Sequence, residues 1–350
     1  MKRALAVVAV AVMLAGAMVL RSRGQDARQA DQNERSRATL WCATEVAPAC
    51  EALRAGNPNL TVVIDDAGRS LGKVTGAGFN RSATPIDAWL VPRSYVDLVT
   101  DNRSRAGLDA IFGDPSRVLA RSPVVMVGSA ERLKVLAARC GGQVSWRCAG
   151  DNAGRQWSEL GGQQSWGELQ PVLGDPNVTA TAMSAVSAAA ASYFSTPNVA
   201  TNDLDDPTFR DWFGQLSRTS ASVNLSGQVP LDRLLSVFPA PPNLVGALEA
   251  QAGPGVEASR DKDRLSILYP SPLATTDVVL APISGSEPGE RLKNELESGD
   301  SASALARTGW RVDGQPLASG LSSATPIPAD SQLPKPGAQQ ALARAWGAAT

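Results

Sequence analysis

Ile86-Asp87-Ala88-Trp89-Leu90-Val91-Pro92 and Arg121-Ser122-Pro123-Val124-Val125-Met126-Val127 are two short apolar runs in the first half of the chain. Each is bounded by Pro or polar residues, and each is followed by a helical pattern. Strands buried on both faces read this way, and strands alternating with helices predict an α/β architecture with a largely parallel sheet. Leu60-Thr61-Val62-Val63-Ile64 is an earlier run of the same kind, and Thr39-Leu40-Trp41 predicts the first strand.

Between these strands the sequence reads as helix. Glu45–Ala55 carries Pro48 in its first turn, where Pro is tolerated. Asp65 to Ser70 is a polar loop leading into a second helix, and Pro92-Arg93-Ser94 opens a third. Gly128-Ser129-Ala130-Glu131 starts a helix that runs to Arg139, and Gly141–Gly167 reads as loop with short helices. An Ala-rich helix follows over about Ala180–Phe194, and Asp206-Pro207 opens another whose Phe209, Trp212, Phe213 and Leu216 share one face. Leu231–Val237 and Leu244–Ala250 read as short helices. Leu265–Tyr269 and Val278–Ala281 read as strands, Glu290–Glu297, Ser301–Thr308 and Ala338–Trp346 as helices, and Leu317–Gly337 as extended surface chain.

Composition narrows the chemistry. The 350 residues contain no histidine, which removes Ser-His-Asp and Cys-His catalysis and His-ligated zinc. No phosphate-binding loop is present, and no G-x-G-x-x-G follows a strand, so no cofactor is expected. The chain is expected not to be an enzyme, and no catalytic or metal-ligating residue is assigned. Net charge is −1, but residues 1–37 hold seven Lys/Arg against three Asp/Glu, leaving the remainder acidic. No basic patch with interleaved aromatics is visible, so nucleic acid is not an expected partner.

Met1-Lys2-Arg3 precedes an apolar run from Ala4 to Leu20 and then Arg21-Ser22-Arg23. A basic start and an apolar core make residues 1–24 an export signal, with Ala15-Gly16-Ala17 as a cleavage site, or an uncleaved membrane anchor. Either places the rest of the chain outside the cytoplasm, secreted or held at the membrane, with residues 25–37 as a flexible stalk. Cysteines fall at Cys42, Cys50, Cys140 and Cys148. Four allow three connectivities. In an exported chain the two equal spacings of eight favour Cys42–Cys50 and Cys140–Cys148 as structural disulfides.

The strand, loop and helix pattern over residues 38–350 resembles the bacterial extracellular solute-binding proteins of the type 2 periplasmic-binding fold. A narrower resemblance, to actinobacterial members, rests on Asn243–Glu249, Tyr269-Pro270 and Thr276-Asp277-Val278. It departs from those fused to von Willebrand factor A domains, because it lacks their Asp-Tyr-Pro sequence and their D-x-S-x-S metal motif. The resemblance implies two lobes, one of residues 38–127 and 267–350 and one of residues 128–266, hinged near 127 and 266. It implies a small polar or anionic solute captured between them for an ABC-type membrane transporter. A membrane-anchored envelope or scaffold protein that keeps the fold without transport is the alternative. In such a fold, ligands lie beyond strand ends, where helix N-termini present free N–H groups. Thr44 after the first strand, Gly68, Arg69 and Ser70 after the second, and Thr181 at the start of the Ala-rich helix occupy those places. Gly68 allows close approach, and Arg69 offers a two-pronged donor for a carboxylate or oxyanion.

Overall fold

A computed structural model of the chain describes residues 37–298, 302–323, 325–329 and 331–349. The expected leader, and all but the last residue of the expected stalk, lie outside the described residues. Among the described residues there are eight strands: β1 Ala38–Ala43, β2 Leu60–Asp65, β3 Ala88–Pro92, β4 Ala120–Ser129, β5 Pro171–Val172, β6 Leu244–Leu248, β7 Leu265–Leu268 and β8 Thr275–Pro282. Twelve α-helices connect or follow them. In the first part of the chain these are α1 Ala47–Gly56, α2 Ala67–Thr75, α3 Arg93–Arg105, α4 Ala130–Arg139 and α5 Trp146–Asp151. The middle holds α6 Ala180–Phe194, α7 Pro207–Ala221, α8 Pro230–Val237 and α9 Glu249–Ala258. The last three are α10 Glu287–Glu297, α11 Ala302–Arg307 and α12 Pro336–Ala349. No helix among the described residues is long and apolar enough to cross a membrane.

The strand order is β2-β1-β3-β8-β4-β6-β5, with β7 also pairing with β4. Two sheets are thus joined through one strand. Residues 120–123 of β4 pair with β8 in the first sheet, and residues 124–128 pair with β6 in the second. The expectation of a largely parallel sheet needs correction. β1 runs parallel to β2 and β3, and β5 to β6, but every pairing of β4 and of β8 is antiparallel. The cause is topological. A chain that leaves the first half along β4 and returns along β8 beside it must run in opposite directions in the two strands.

Leu244-Val245-Gly246-Ala247-Leu248 also departs from expectation, forming a strand rather than a helix. All five residues are buried, and a Cβ on Gly246 would lie 2.9 Å from both Ala185 Cβ and Leu173 Cδ2. The second sheet's central strand is pressed from both faces, and such a run has no period that distinguishes strand from helix. Local signals did fix other ends. Asp206 accepts from Phe209 N at the start of α7, and Thr179 accepts from Ala182 N at the start of α6, each an N-cap. The last helix, α12, packs on α3 of the first half and on α6 and α7 of the second, so it touches both. The structure pairs Cys42 with Cys50 and Cys140 with Cys148.

Candidate functional site

The two halves meet where β1 ends. Beyond Ala43 the chain makes a tight turn over Thr44–Val46, inside the loop closed by Cys42–Cys50. That turn drives Glu45 inward, to 4% exposure. Its Oε1 accepts from the backbone N of Thr181, at 2.9 Å, in the first turn of α6. The Thr181 hydroxyl donates to Gln251 Oε1 at 2.8 Å and lies 3.4 Å from the same Glu45 oxygen. A carboxylate from one half thus occupies the helix start of the other, the position an anion favours. Burial pushes the Glu45 carboxyl above its ordinary value. The Thr181 and Ala180 N–H groups oppose this, and the Asp66 carboxylate adds to it. Tyr95, in the first turn of α3, is buried nearby, and its hydroxyl has no hydrogen-bond partner among the described residues. It is pushed well above the ordinary tyrosine value by burial and then by Glu45, Asp175 and Asp66.

Of the five sequence-selected residues, Gly68 and Thr181 contact the opposite half, whereas Thr44, Arg69 and Ser70 bond within the first half. Thr44 is exposed, with its hydroxyl 3.3 Å from Asp66 Oδ1. Gly68 lies against the other half's backbone. Its N–H donates to Val178 O at 2.9 Å, and a Cβ there would sit 2.0 Å from Asn177 O. Arg69 is exposed and paired with Asp66 at 3.1 Å. Ser70 is buried, and its hydroxyl donates to Asp65 Oδ2 at 3.2 Å. Thr181 is bound as described above. The polar groups of these residues are engaged within the protein, and Arg69 is the most solvent-exposed charge among them.

Ser70 and Lys73 also have the spacing S-x-x-K of Ser-Lys hydrolases. Both bind Asp65 Oδ2, Lys73 at 2.7 Å, and the serine side chain is enclosed. Burial alone would raise the Asp65 carboxyl, but Lys73 and Ser70 outweigh it and hold the carboxyl low. The serine proton is held by a carboxylate that stays ionised, which is not the arrangement of a nucleophile beside its base.

A second buried carboxylate begins α9. Glu249 is wholly buried and receives Arg311 in a two-pronged pair, Nε to Oε2 and Nη2 to Oε1, each at 2.6 Å. The Tyr269 hydroxyl donates to Oε1 as well. Burial, and then this bond to Glu249, push the Tyr269 hydroxyl up to about 12. Arg311 also donates to the carbonyls of Ser322 and Thr325 at 2.9 and 2.7 Å. Its backbone bridges to Arg121 on β4, so the cluster braces the crossing strand.

A cavity of about 380 Å³ opens where β3 ends and β8 begins. It is lined by Arg93, Asp97, Thr276 and Asp277 and covered by Lys335 and Gln339 of the C-terminal segment. Sequence reasoning missed it, along with Glu45 and the Glu249–Arg311 pair. The available signals were Arg93 and Ser94 at a strand end and the isolated Asp277 opening an apolar strand. Among the described residues no group of His, Cys, Asp or Glu is placed to hold a metal ion.

No family model and no curated protein matches the sequence. Solved structures match over nearly the whole chain. A periplasmic thiamin-binding protein superposes with a TM-score of 0.56 at 12% identity, over 89% of this chain and 95% of that one. The Trichodesmium IdiA (FutA) protein, solved with iron and citrate, gives 0.52 at 8% identity, over 89% and 96%. A Bordetella ferric-binding protein gives 0.51 at 13% identity, over 89% and 98%. At these identities the likeness is one of fold, and the chain has the two-lobe type 2 periplasmic-binding fold.

Proposed function

We propose that this protein is an extracytoplasmic solute-binding protein that captures a small polar solute between its two lobes and presents it to an ABC-type membrane transporter. The observation that carries this reading is the architecture of the junction. The sheets are joined only through β4, β8 returns beside it, and strand ends and helix starts from both halves face each other, with Glu45 reaching across to Thr181. The matched proteins, which by their names bind thiamin or iron, support the same use of the fold.

We take the hinge to be the point where β4 changes partner, Pro123 to Val124, together with Ala274 and Thr275, where Val124 N donates to Ala274 O at 2.8 Å. The second lobe then spans about 124–274, slightly more than the expected 128–266, and α12 straps both lobes. Thr44, Gly68, Arg69, Ser70 and Thr181 line the surfaces that part on opening. An anionic group on the solute would take the place of Glu45 at the start of α6, with Arg69 turning from Asp66 toward it.

A solute screen by thermal shift tests this directly. A stabilising solute is expected, with Arg69→Ala weakening its binding by about 1.5–3 kcal/mol, the range for a hydrogen bond to a charged group. The radius of gyration should fall when the solute is added. A folded protein stabilised by no solute of a broad panel would overturn the reading and leave the scaffold alternative.

A further inference from the structure

The cavity at the end of β3 gathers three acceptor side chains, Asp97, Asp277 and Gln339, alongside Arg93 and Lys335. Asp97, one turn into α3, is exposed and makes no hydrogen bond or ion pair within the protein among the described residues. Asp277, on β8, has a single contact of this kind, with Arg121 at 3.4 Å. Gln339 is 1% exposed. Its amide nitrogen donates to Pro334 O at 2.7 Å, which leaves its Oε1 buried with no partner among the described residues. A buried amide oxygen without a donor is costly, and native structures rarely keep one unless a water, an ion or a ligand supplies the bond. The two carboxyls are shifted in the same direction. Burial pushes both above their ordinary values, although Arg93 works against this for each and Arg121 also does so for Asp277. The cavity's volume, about 380 Å³, is in the range for a small metabolite. Its place beyond the strand ends is where an open α/β sheet receives ligands.

We propose that this cavity binds the protonated amine of a small solute, with Asp97, Asp277 and Gln339 as acceptors, and that Arg93 and Lys335 on its rim take an acidic group at the solute's other end. The class is a small zwitterion of the amino-acid type. The proposal rests on the solute-binding reading and names its substrate class. It differs from the expectation of an anion in placing the solute's amine here, among carboxyls, rather than an acidic group at the α6 start.

Calorimetric titration of the full-length chain with γ-aminobutyrate, putrescine and succinate tests it. γ-Aminobutyrate is expected to bind, and succinate is not. Asp97→Asn and Asp277→Asn, both nearly isosteric, should each weaken γ-aminobutyrate at least tenfold without moving the melting temperature of the solute-free protein. Arg93→Gln should weaken γ-aminobutyrate but not putrescine, since only the former carries a carboxylate. Binding of γ-aminobutyrate unaltered by the aspartate variants would overturn the cavity assignment and leave solute binding intact. So would binding of succinate alone, or stabilisation only by some unrelated solute of a broad panel. Failure of every solute would overturn both.

Discussion

Two glutamates, each buried and each beside a helix start, are held in opposite ways. Glu249 sits at the first residue of its own helix and is matched by a two-pronged arginine and a tyrosine hydroxyl. Glu45 comes from the far half of the molecule and rests on another helix's N–H groups with no cation beside it. The first arrangement is a closed set of partners, and removing one strands the others in a dry interior. The second is held by backbone donors that would serve any anion equally well. One contact therefore braces the fold at the crossing strand, whereas the other is the one that the proposed function requires to exchange. On that reading, the difference separates structural electrostatics from those of a site that opens.

The largest test of this contrast is Arg311→Leu. It leaves Glu249 buried without a counter-charge, and breaking such a pair costs about 3–5 kcal/mol. Chemical unfolding should show a loss in that range, and a loss under about 1 kcal/mol would mean that Glu249 is not held as described. Next comes the loop that positions Glu45. Opening Cys42–Cys50 by paired Ser substitution should cost about 2.5 kcal/mol, from the chain entropy of a loop this short. Opening Cys140–Cys148 should cost a similar amount. Only the first should loosen the contact with α6, read as faster hydrogen exchange at the Thr181 amide. Equal exchange in the two variants would break the link between that disulfide and Glu45.

The sequence made the frame legible and left the contrast hidden, for a physical reason. Buried strands such as Trp89–Val91 and Val124–Val127 declare themselves because every residue in them must be apolar. Asp206 and Thr179 declare helix starts because capping is local. Equal cysteine spacings pointed to two local loops, and the structure holds those two. Leu244–Leu248 was misread because an apolar run of five without alternation fits either helix or strand until its neighbours are known. The strand end at Thr44 and the helix starts at Gly68–Ser70 and Thr181 could be marked from pattern alone. What fills them could not, since Glu45 meets Thr181 across 136 residues and Arg311 meets Glu249 across 62. Gln339 acquires its unpartnered oxygen only because α12 folds back over the first half.

A smaller effect probes whether the Glu45 interface can part. In Gly68→Ala the new Cβ would overlap the Asn177 carbonyl oxygen, with backbone on both sides and no flexible side chain to yield. Overpacking of this kind costs about 1–3 kcal/mol when nothing can move. If the halves are hinged, they separate instead. The variant should then lose no more than about 1 kcal/mol, the low end of that range, and scattering should show a larger radius of gyration. A full loss with unchanged dimensions would mean that the halves are rigidly joined.

The smallest effect is the most specific to Glu45. Its folded carboxyl lies above the ordinary value, so the folded state takes up its proton more readily than the unfolded chain does. Its contribution to stability is therefore complete below the ordinary carboxylate range and is lost as pH rises through the raised value. Glu45→Gln keeps an oxygen for the Thr181 N–H and never carries the charge. The stability of the wild type relative to this variant should fall as pH rises above the ordinary carboxylate range and through the raised value. At neutral pH the variant should be equal or more stable, by no more than about 1 kcal/mol. Asp65 is held low and titrates with the opposite slope, but it is common to both proteins and cancels in the difference. A difference that grew with pH would mean that the charged carboxylate is favoured at the α6 start, as firmly held as Glu249. The interface would then be a permanent brace, and an incoming anion could not displace it.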